Sequence, residues 1–381
     1  MIYLDNAATS LPKPKSVERA MVWGLNQLPS PGRGSSSGAE AAAEVLFSLR
    51  MEAGAQFHCQ PEQVILTTSC THGLNIAIKS LVGPGDRVVV SCMEHNAVMR
   101  PLHAIGAEIH VAGKRLFDSD ALLEELEQLL TPDTRLCVMT HVSNVFGWQL
   151  PVEEAAELCK KRGIPFVLDA AQSAGCLDID MQKLGAAFIA MPGHKGLMGP
   201  QGTGLLLCGS ETKTLLEGGT GSVSRQMDMP EFLPDRLEPG THNMPGAAGL
   251  LAGLRAVRSV GTQEILRREL EMLTFAENKL GAIPGIRLYQ GKHQTGVFSF
   301  VTEGTDCVLF GEELSHRWDI ALRSGLHCAP LAHETAGTID TGTIRVSFGP
   351  MNRRQDVEIL AEAVELLSGE QKRGTPNSCS C

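Results

Sequence analysis

No tract of basic residues occurs in this 381-residue chain, and 43 acidic against 33 basic side chains leave a formal net charge of −10. Nucleic acids and anionic membranes recruit proteins through clustered cations, so neither is expected as the main partner. No apolar run approaches the roughly 20 residues of a spanning helix. The N-terminus, Met1-Ile2-Tyr3-Leu4-Asp5-Asn6, also lacks a charged segment followed by a long apolar one. These absences predict a soluble, cytoplasmic protein. Internal repeats and low-complexity segments are missing too. A disulfide framework is not expected: the 11 cysteines are an odd number, and Cys137, Cys159, Cys208 and Cys307 sit inside apolar runs, as small buried hydrophobes do.

What is present is length and alternation. The chain is long enough for two domains. A short extended segment, a turn at Leu11-Pro12-Lys13-Pro14 and the start of a helix come first; loop chemistry follows over 29–38, then a helix over 39–53. Beyond it, strands are predicted at 64–68, 87–91, 108–111, 136–141, 166–168, 187–190 and 204–208, with helices at 73–81, 120–130 and 152–162. A long helical run covers 247–280 with a break near Gly261, followed by strands at 296–301 and 343–348 and a helix at 354–368. Strands alternating with helices predict an α/β fold, a mainly parallel seven-stranded sheet with helices on both faces. The later segments predict a smaller α+β domain.

Ligands of such sheets collect at the carboxyl ends of the strands. The residues just after the strands are Ser69-Cys70-Thr71-His72, Glu94-His95-Asn96, Ser143-Asn144, Asp169-Ala170-Ala171-Gln172 and Gly193-His194-Lys195. Lys195, behind a flexible glycine at the end of a buried strand, fits a Schiff-base lysine. On those residues alone a surface lysine fits equally well. Asp169 lies 26 residues earlier, at a neighbouring strand end, and a carboxylate there would keep a pyridine ring nitrogen protonated. Between strand and helix, Ser69 to Gly73 offers backbone N–H donors to a phosphate, or serves as an ordinary helix cap. His95 suits ring stacking or proton relay.

The segments Tyr3-Leu4-Asp5-Asn6-Ala7-Ala8-Thr9, Met93-Glu94-His95-Asn96, His141-Val142-Ser143-Asn144-Val145-Phe146-Gly147, Asp169-Ala170-Ala171-Gln172, Gly193-His194-Lys195 and Arg323-Ser324-Gly325-Leu326-His327-Cys328-Ala329 resemble the cysteine desulfurases. These are class-V enzymes of the aminotransferase fold that use pyridoxal 5′-phosphate. The resemblance implies the pyridoxal phosphate-dependent transferase fold of type I. It also implies an N-terminal segment (1–20) packed on the small domain, a large domain (21–250) and a small domain carrying the cysteine loop (251–368); outside the shared region, the polar tail (369–381), with Gly374 and Pro376, is expected to be mobile from its composition. It makes Lys195 the Schiff-base lysine, Asp169 the pyridinium partner, Gln172 the donor to the ring oxygen, and His95 the stacking residue and proton relay. Thr71, the Cys70 backbone and His194 would hold the phosphate, with Thr241 reaching across from a second subunit of a homodimer. Asn144 and Arg345 would bind the substrate carboxylate, Arg323 would position the cysteine loop, and Cys328 would take the sulfur of L-cysteine as a persulfide destined for an acceptor protein. No metal site is assigned within the shared region.

Some features depart from that pattern or leave alternatives open. Pro192 stands where many relatives have a serine that touches the phosphate, and the loop over 29–38 lacks a histidine many relatives place there. The short connection from Cys328 to Arg345 resembles the compact-loop subgroup, which includes enzymes tuned for L-selenocysteine as well as L-cysteine. The terminal Cys379-Ser380-Cys381 reads as a disordered end, or as an acceptor of persulfide from Cys328 or a soft-metal ligand. Another class-V chemistry, such as a transaminase, epimerase or β-lyase, would leave Cys328 a bystander.

Overall fold

The structure, a computed structural model, describes residues 1–31 and 36–374, the last four as backbone alone. Cys379, Cys381 and residues 32–35 of the glycine-rich loop lie outside the described residues. The chain opens with β1 (Ile2–Tyr3), α1 (Lys15–Gln27) and α2 (Ser37–Phe57). Strands and helices then alternate through β2 (Val64–Thr67), α3 (Cys70–Leu81), β3 (Arg87–Ser91), α4 (Asn96–Ile105), β4 (Glu108–Ala112) and α5 (Ser119–Leu129). The alternation continues with β5 (Thr134–Thr140), α6 (Val152–Lys161), β6 (Phe166–Asp169), α7 (Met181–Leu184), β7 (Phe188–Pro192) and β8 (Gly204–Cys208).

These strands form a seven-stranded sheet in the order β2-β8-β7-β6-β5-β3-β4. All pairs are parallel except those of β8, which runs antiparallel to both β7 and β2. The link from Gly193 to Thr203 holds no helix, and a parallel crossover needs one, so the chain returns antiparallel. Alternate residues of each strand face opposite sides. Val89, Met139, Leu168 and Ile189 meet α2, α5, α6 and a later helix over Met244–Val260 on one face, while Val90, Val138, Val167 and Ala190 meet α3 and α4 on the other. Both faces are therefore dry, which explains the near-continuous apolar runs of the central strands.

The remainder comprises α8 (Met244–Val260), α9 (Thr262–Leu280), β9 (Ile286–Tyr289), β10 (Val297–Thr302) and α10 (Cys307–Trp318). After these come β11 (Ile320–Ala321), β12 (Arg323–Gly325), α11 (Pro330–Ala336), β13 (Thr343–Ser347) and α12 (Arg354–Gly374). Four of these strands make an antiparallel sheet, β12-β13-β10-β9, around a core that includes Phe298, Phe310 and Ile344. The helical run breaks at Gly261, whose φ of 88° suits glycine. β1 pairs in parallel with β11, and Asp5 bridges to Ser347, so the first residues lie along the second sheet and reach the large sheet's open end. Among the described residues no helix is long and apolar enough to cross a membrane.

Candidate active site

The carboxyl ends of β5, β6 and β7 meet the first turns of α3 and α4 around a cavity of about 110 Å³, lined by Cys70, Thr71, His95, Asn144, Asp169 and Lys195. Gln172, His194 and Pro192 border the same space. Lys195 follows β7 through a tight turn: Gly193 donates to Thr203 O at 2.8 Å, and Gly199 donates to Gly193 O at 2.7 Å. A Cβ on Gly193 would lie 2.1 Å from Thr203 Oγ1, so only glycine permits this approach. Burial, helped by the Arg345 guanidinium, pushes the Lys195 pKa down to about 8, against the opposing influence of Asp169 and Cys70.

Asp169 ends β6 and is buried. Its Oδ1 accepts from Ala171 N at 2.9 Å and from the Cys70 thiol at 3.4 Å, while Oδ2 makes no hydrogen bond among the described residues. One oxygen is thus fixed by the protein and the other is left for the cavity. His95 caps α4, its Nδ1 accepting from Ala97 N at 3.0 Å, so the neutral ring carries its proton on Nε2. Burial holds the His95 pKa below its ordinary value, with Asp169 pulling the other way.

Ser69 caps α3 by accepting from His72 N at 3.1 Å, which starts the helix three residues earlier than the predicted 73 and places Cys70 and Thr71 in its first turn. Their N–H groups have no partner within the helix and face the anion-friendly end of its dipole. Alongside, the His194 Nδ1 atom is buried with no partner, and its ring is driven to a pKa of about 4 by burial and by Lys195 and Lys13. The His194 carbonyl accepts from Lys13 Nζ at 2.6 Å and Ser10 N at 3.0 Å, tying the N-terminal segment to the lysine turn. Gln172 donates to Ala7 O at 3.0 Å. Thr241 is not brought into this cavity; it lines a separate cleft of about 160 Å³ beside Thr68, His72 and His242.

Arg345, wholly buried on β13, donates to Asn144 O at 2.9 Å and to Asp5 Oδ1 at 2.5 Å, while its Nε has no partner. Arg323 on β12 approaches Asp5 Oδ2 at 3.3 Å. Asp5 therefore serves both guanidinium groups, a role the sequence reading does not assign; an acidic residue inside the 3–9 segment is the signal available for it. Cys328 lies in the loop between β12 and α11 and is exposed, whereas the other eight described cysteines are buried. Its carbonyl accepts from Asn96 N at 2.8 Å, beside His95, and the preceding His327 carbonyl accepts from Asn144 Nδ2 at 2.7 Å. The structure thus gathers the lysine, the aspartate, the helix start, the buried guanidinium and the exposed thiol at one end of the sheet.

The profile of the class-V aminotransferases matches residues 2–360. A probable cysteine desulfurase of Methanothermobacter thermautotrophicus is 30% identical over 383 residues, covering 97% of this chain and 95% of the relative. One of Xylella fastidiosa is 32% identical over 384 residues, covering 96% of this chain and 90% of the relative. The apo structure of a cysteine desulfurase from Thermococcus onnurineus superposes with a TM-score of 0.89 at 30% identity, over 97% of this chain and 94% of that one.

Proposed function

The chain belongs to the class-V aminotransferases and, within them, to the cysteine desulfurases, and from that premise we propose that it converts L-cysteine to L-alanine with pyridoxal 5′-phosphate, leaving the sulfur as a persulfide on Cys328. The residues present fit the cofactor. Asp169 keeps an unbonded oxygen at the cavity, the first turn of α3 offers free N–H groups, His194 keeps an unpartnered ring nitrogen, and the lowered pKa of Lys195 favours the neutral amine a carbonyl needs. Asp169, Gln172, Cys70, Thr71, His194 and Lys195 would hold it. When bound, the cofactor supplies an electron-poor ring that makes the substrate Cα proton acidic.

The chain's own groups do the rest. Arg345 and Asn144 take the substrate carboxylate, with Arg323 beside them; a planar guanidinium matches a carboxylate in two hydrogen bonds. Lys195 removes the Cα proton, and His95 relays protons from its Nε2. Cys328, as thiolate, forms an S–S bond to the substrate sulfur while the Cβ–S bond breaks. That electron pair goes to Cβ, which takes a proton; the protonated Lys195 returns a proton to Cα, and the product leaves as alanine. The persulfide then passes to an acceptor protein. Two chains form a homodimer in which Thr241 completes the partner's phosphate site.

The observation that carries this reading is the exposure of Cys328 alone among the described cysteines, in a loop tied to both α4 and Asn144. Purified holoenzyme incubated with L-cysteine, and in parallel with L-selenocysteine, should release alanine. Cys328→Ala should lose sulfur release yet keep the visible absorbance of the cofactor. Undiminished sulfide from that variant, or a keto acid or racemised product from wild type, would overturn the assignment.

A further inference from the structure

Cys328 stands on an unusual backbone. His327 and Cys328 are consecutive non-glycine residues in the left-handed region, with φ of 49° and 59°. L-residues adopt that conformation at a cost, and two in succession persist only where surrounding contacts over-determine them. The contacts are legible. The His327 side chain is buried, and its Nε2 lies 3.2 Å from both the carbonyl and the hydroxyl oxygen of Thr343. The Thr343 hydroxyl donates to Ser299 Oγ at 3.2 Å, and Ser299 donates in turn to Val145 O at 2.7 Å. Both hydroxyl protons are therefore committed, so His327 Nε2 is the donor to Thr343 and its buried Nδ1 is left without a partner.

The bonds close a circuit. The His327 ring holds Thr343 of β13; two residues on, Arg345 donates to Asn144 O; and Asn144 Nδ2 returns to His327 O. We propose that His327 is a positioning residue, whose imidazole pins the left-handed pair to β13 and, through Asn144, fixes Cys328 relative to the groups that take the substrate carboxylate. This rests on the reading of Cys328, Asn144 and Arg345 given above. Burial and the neighbouring Arg345 both keep the ring neutral, as a single-donor clamp requires. The exposed thiol is thus aimed by a buried neighbour that does not itself meet the substrate.

The test separates aiming from folding and from cofactor chemistry. His327→Leu removes the donor, and His327→Asn is polar but too short to reach Thr343; His327→Gln can present an N–H near the position of Nε2. In the holoenzymes, single-turnover formation of the Cys328 persulfide from L-cysteine should fall at least about tenfold in the Leu and Asn variants and recover to within about threefold of wild type in the Gln variant, the scale expected of small misplacement. Exchange of the Cα proton of L-alanine with D2O, which needs Lys195 and the cofactor but no thiol, should stay within about twofold of wild type in all three. Should the Leu variant not fold, the Asn and Gln pair decides. Persulfide formation unchanged in the Asn variant, or lost together with Cα exchange, would overturn the role of His327. Persulfide chemistry that survives Cys328→Ala would instead overturn the functional reading beneath it.

Discussion

At the scale of single residues, the site is built on charges that the interior can hold only under conditions. Glu94 is wholly buried; Oε1 accepts from Thr140 N at 2.7 Å and from Ser91, and among the described residues Oε2 has no hydrogen-bond partner and no cation pairs with the carboxylate. Burial therefore pushes its pKa from 4.5 up to about 8. A carboxyl whose pKa rises on folding favours the folded state fully below about 4.5 and loses that contribution as the pH climbs to about 8. Glu94→Gln, which keeps the shape without the titration, should gain stability relative to wild type between pH 5 and 8.5, on the order of 1–3 kcal/mol. Urea unfolding of both proteins at the two pH values checks this, and a constant difference would count against it. Asp5 presents the converse case, since it is the counter-charge of a buried cation. Asp5→Asn leaves Arg345 unpaired in the interior and should cost about 2–4 kcal/mol in the same assay. A loss below half a kcal/mol would mean that Arg323 and Arg345 are held by other means.

At the scale of elements, Lys195 and Asp169 line one cavity, and the turn that carries the lysine touches the turn that follows β6. A Cβ on Gly175 would sit 2.2 Å from Gly196 O, and one on Gly196 would sit 2.2 Å from Ala174 O. Gly175 also has a φ of 100°. Gly175→Ala should force the lysine turn away from β6, lowering stability by about 2–4 kcal/mol and reducing bound cofactor. Thermal unfolding and visible absorbance per chain report both, and unchanged values would refute the contact. Such a contact cannot be seen in periodicity, which marks glycines without showing what approaches them. The strands at 87–91 and 204–208 are read to the residue because β-branched or leucine runs end there at turn signals. By contrast α4 escapes the reading because Pro101 lies inside it, and α11, β9 and β12 are too short for a period to emerge. The placement of Cys328 in a loop is legible from its neighbours, Ser324-Gly325 and Pro330. The double engagement of Asp5 is not, because its partners lie more than 300 residues away, as the span of 340 residues to Arg345 shows.

At the scale of the whole molecule, two helices that both pack on α8 keep apolar side chains in solvent. Val22, Trp23 and Leu25 on α1 and Phe47 and Met51 on α2 are exposed. Next to α2 opens a cleft of about 770 Å³, with Arg50 and Glu238 in its wall and Thr241 on its lining. Arg50 and Glu238 form a buried bidentate pair that fixes this wall. A second copy docked across a two-fold axis would cover the apolar residues twice over, once on each chain. It would also explain why Thr241, which the family resemblance assigns to the phosphate, lies apart from Lys195 within one chain. Complementation makes this quantitative. A chain carrying Lys195→Ala and a chain carrying Thr241→Ala should each be weak or inactive alone. In a heterodimer with shared sites, one site combines both mutations and the other combines both intact residues. Random co-assembly of equal amounts makes half the dimers mixed, so about one quarter of all sites should regain wild-type turnover. If Thr241 acts within its own chain, every site in the mixture carries one of the two changes and co-expression restores nothing.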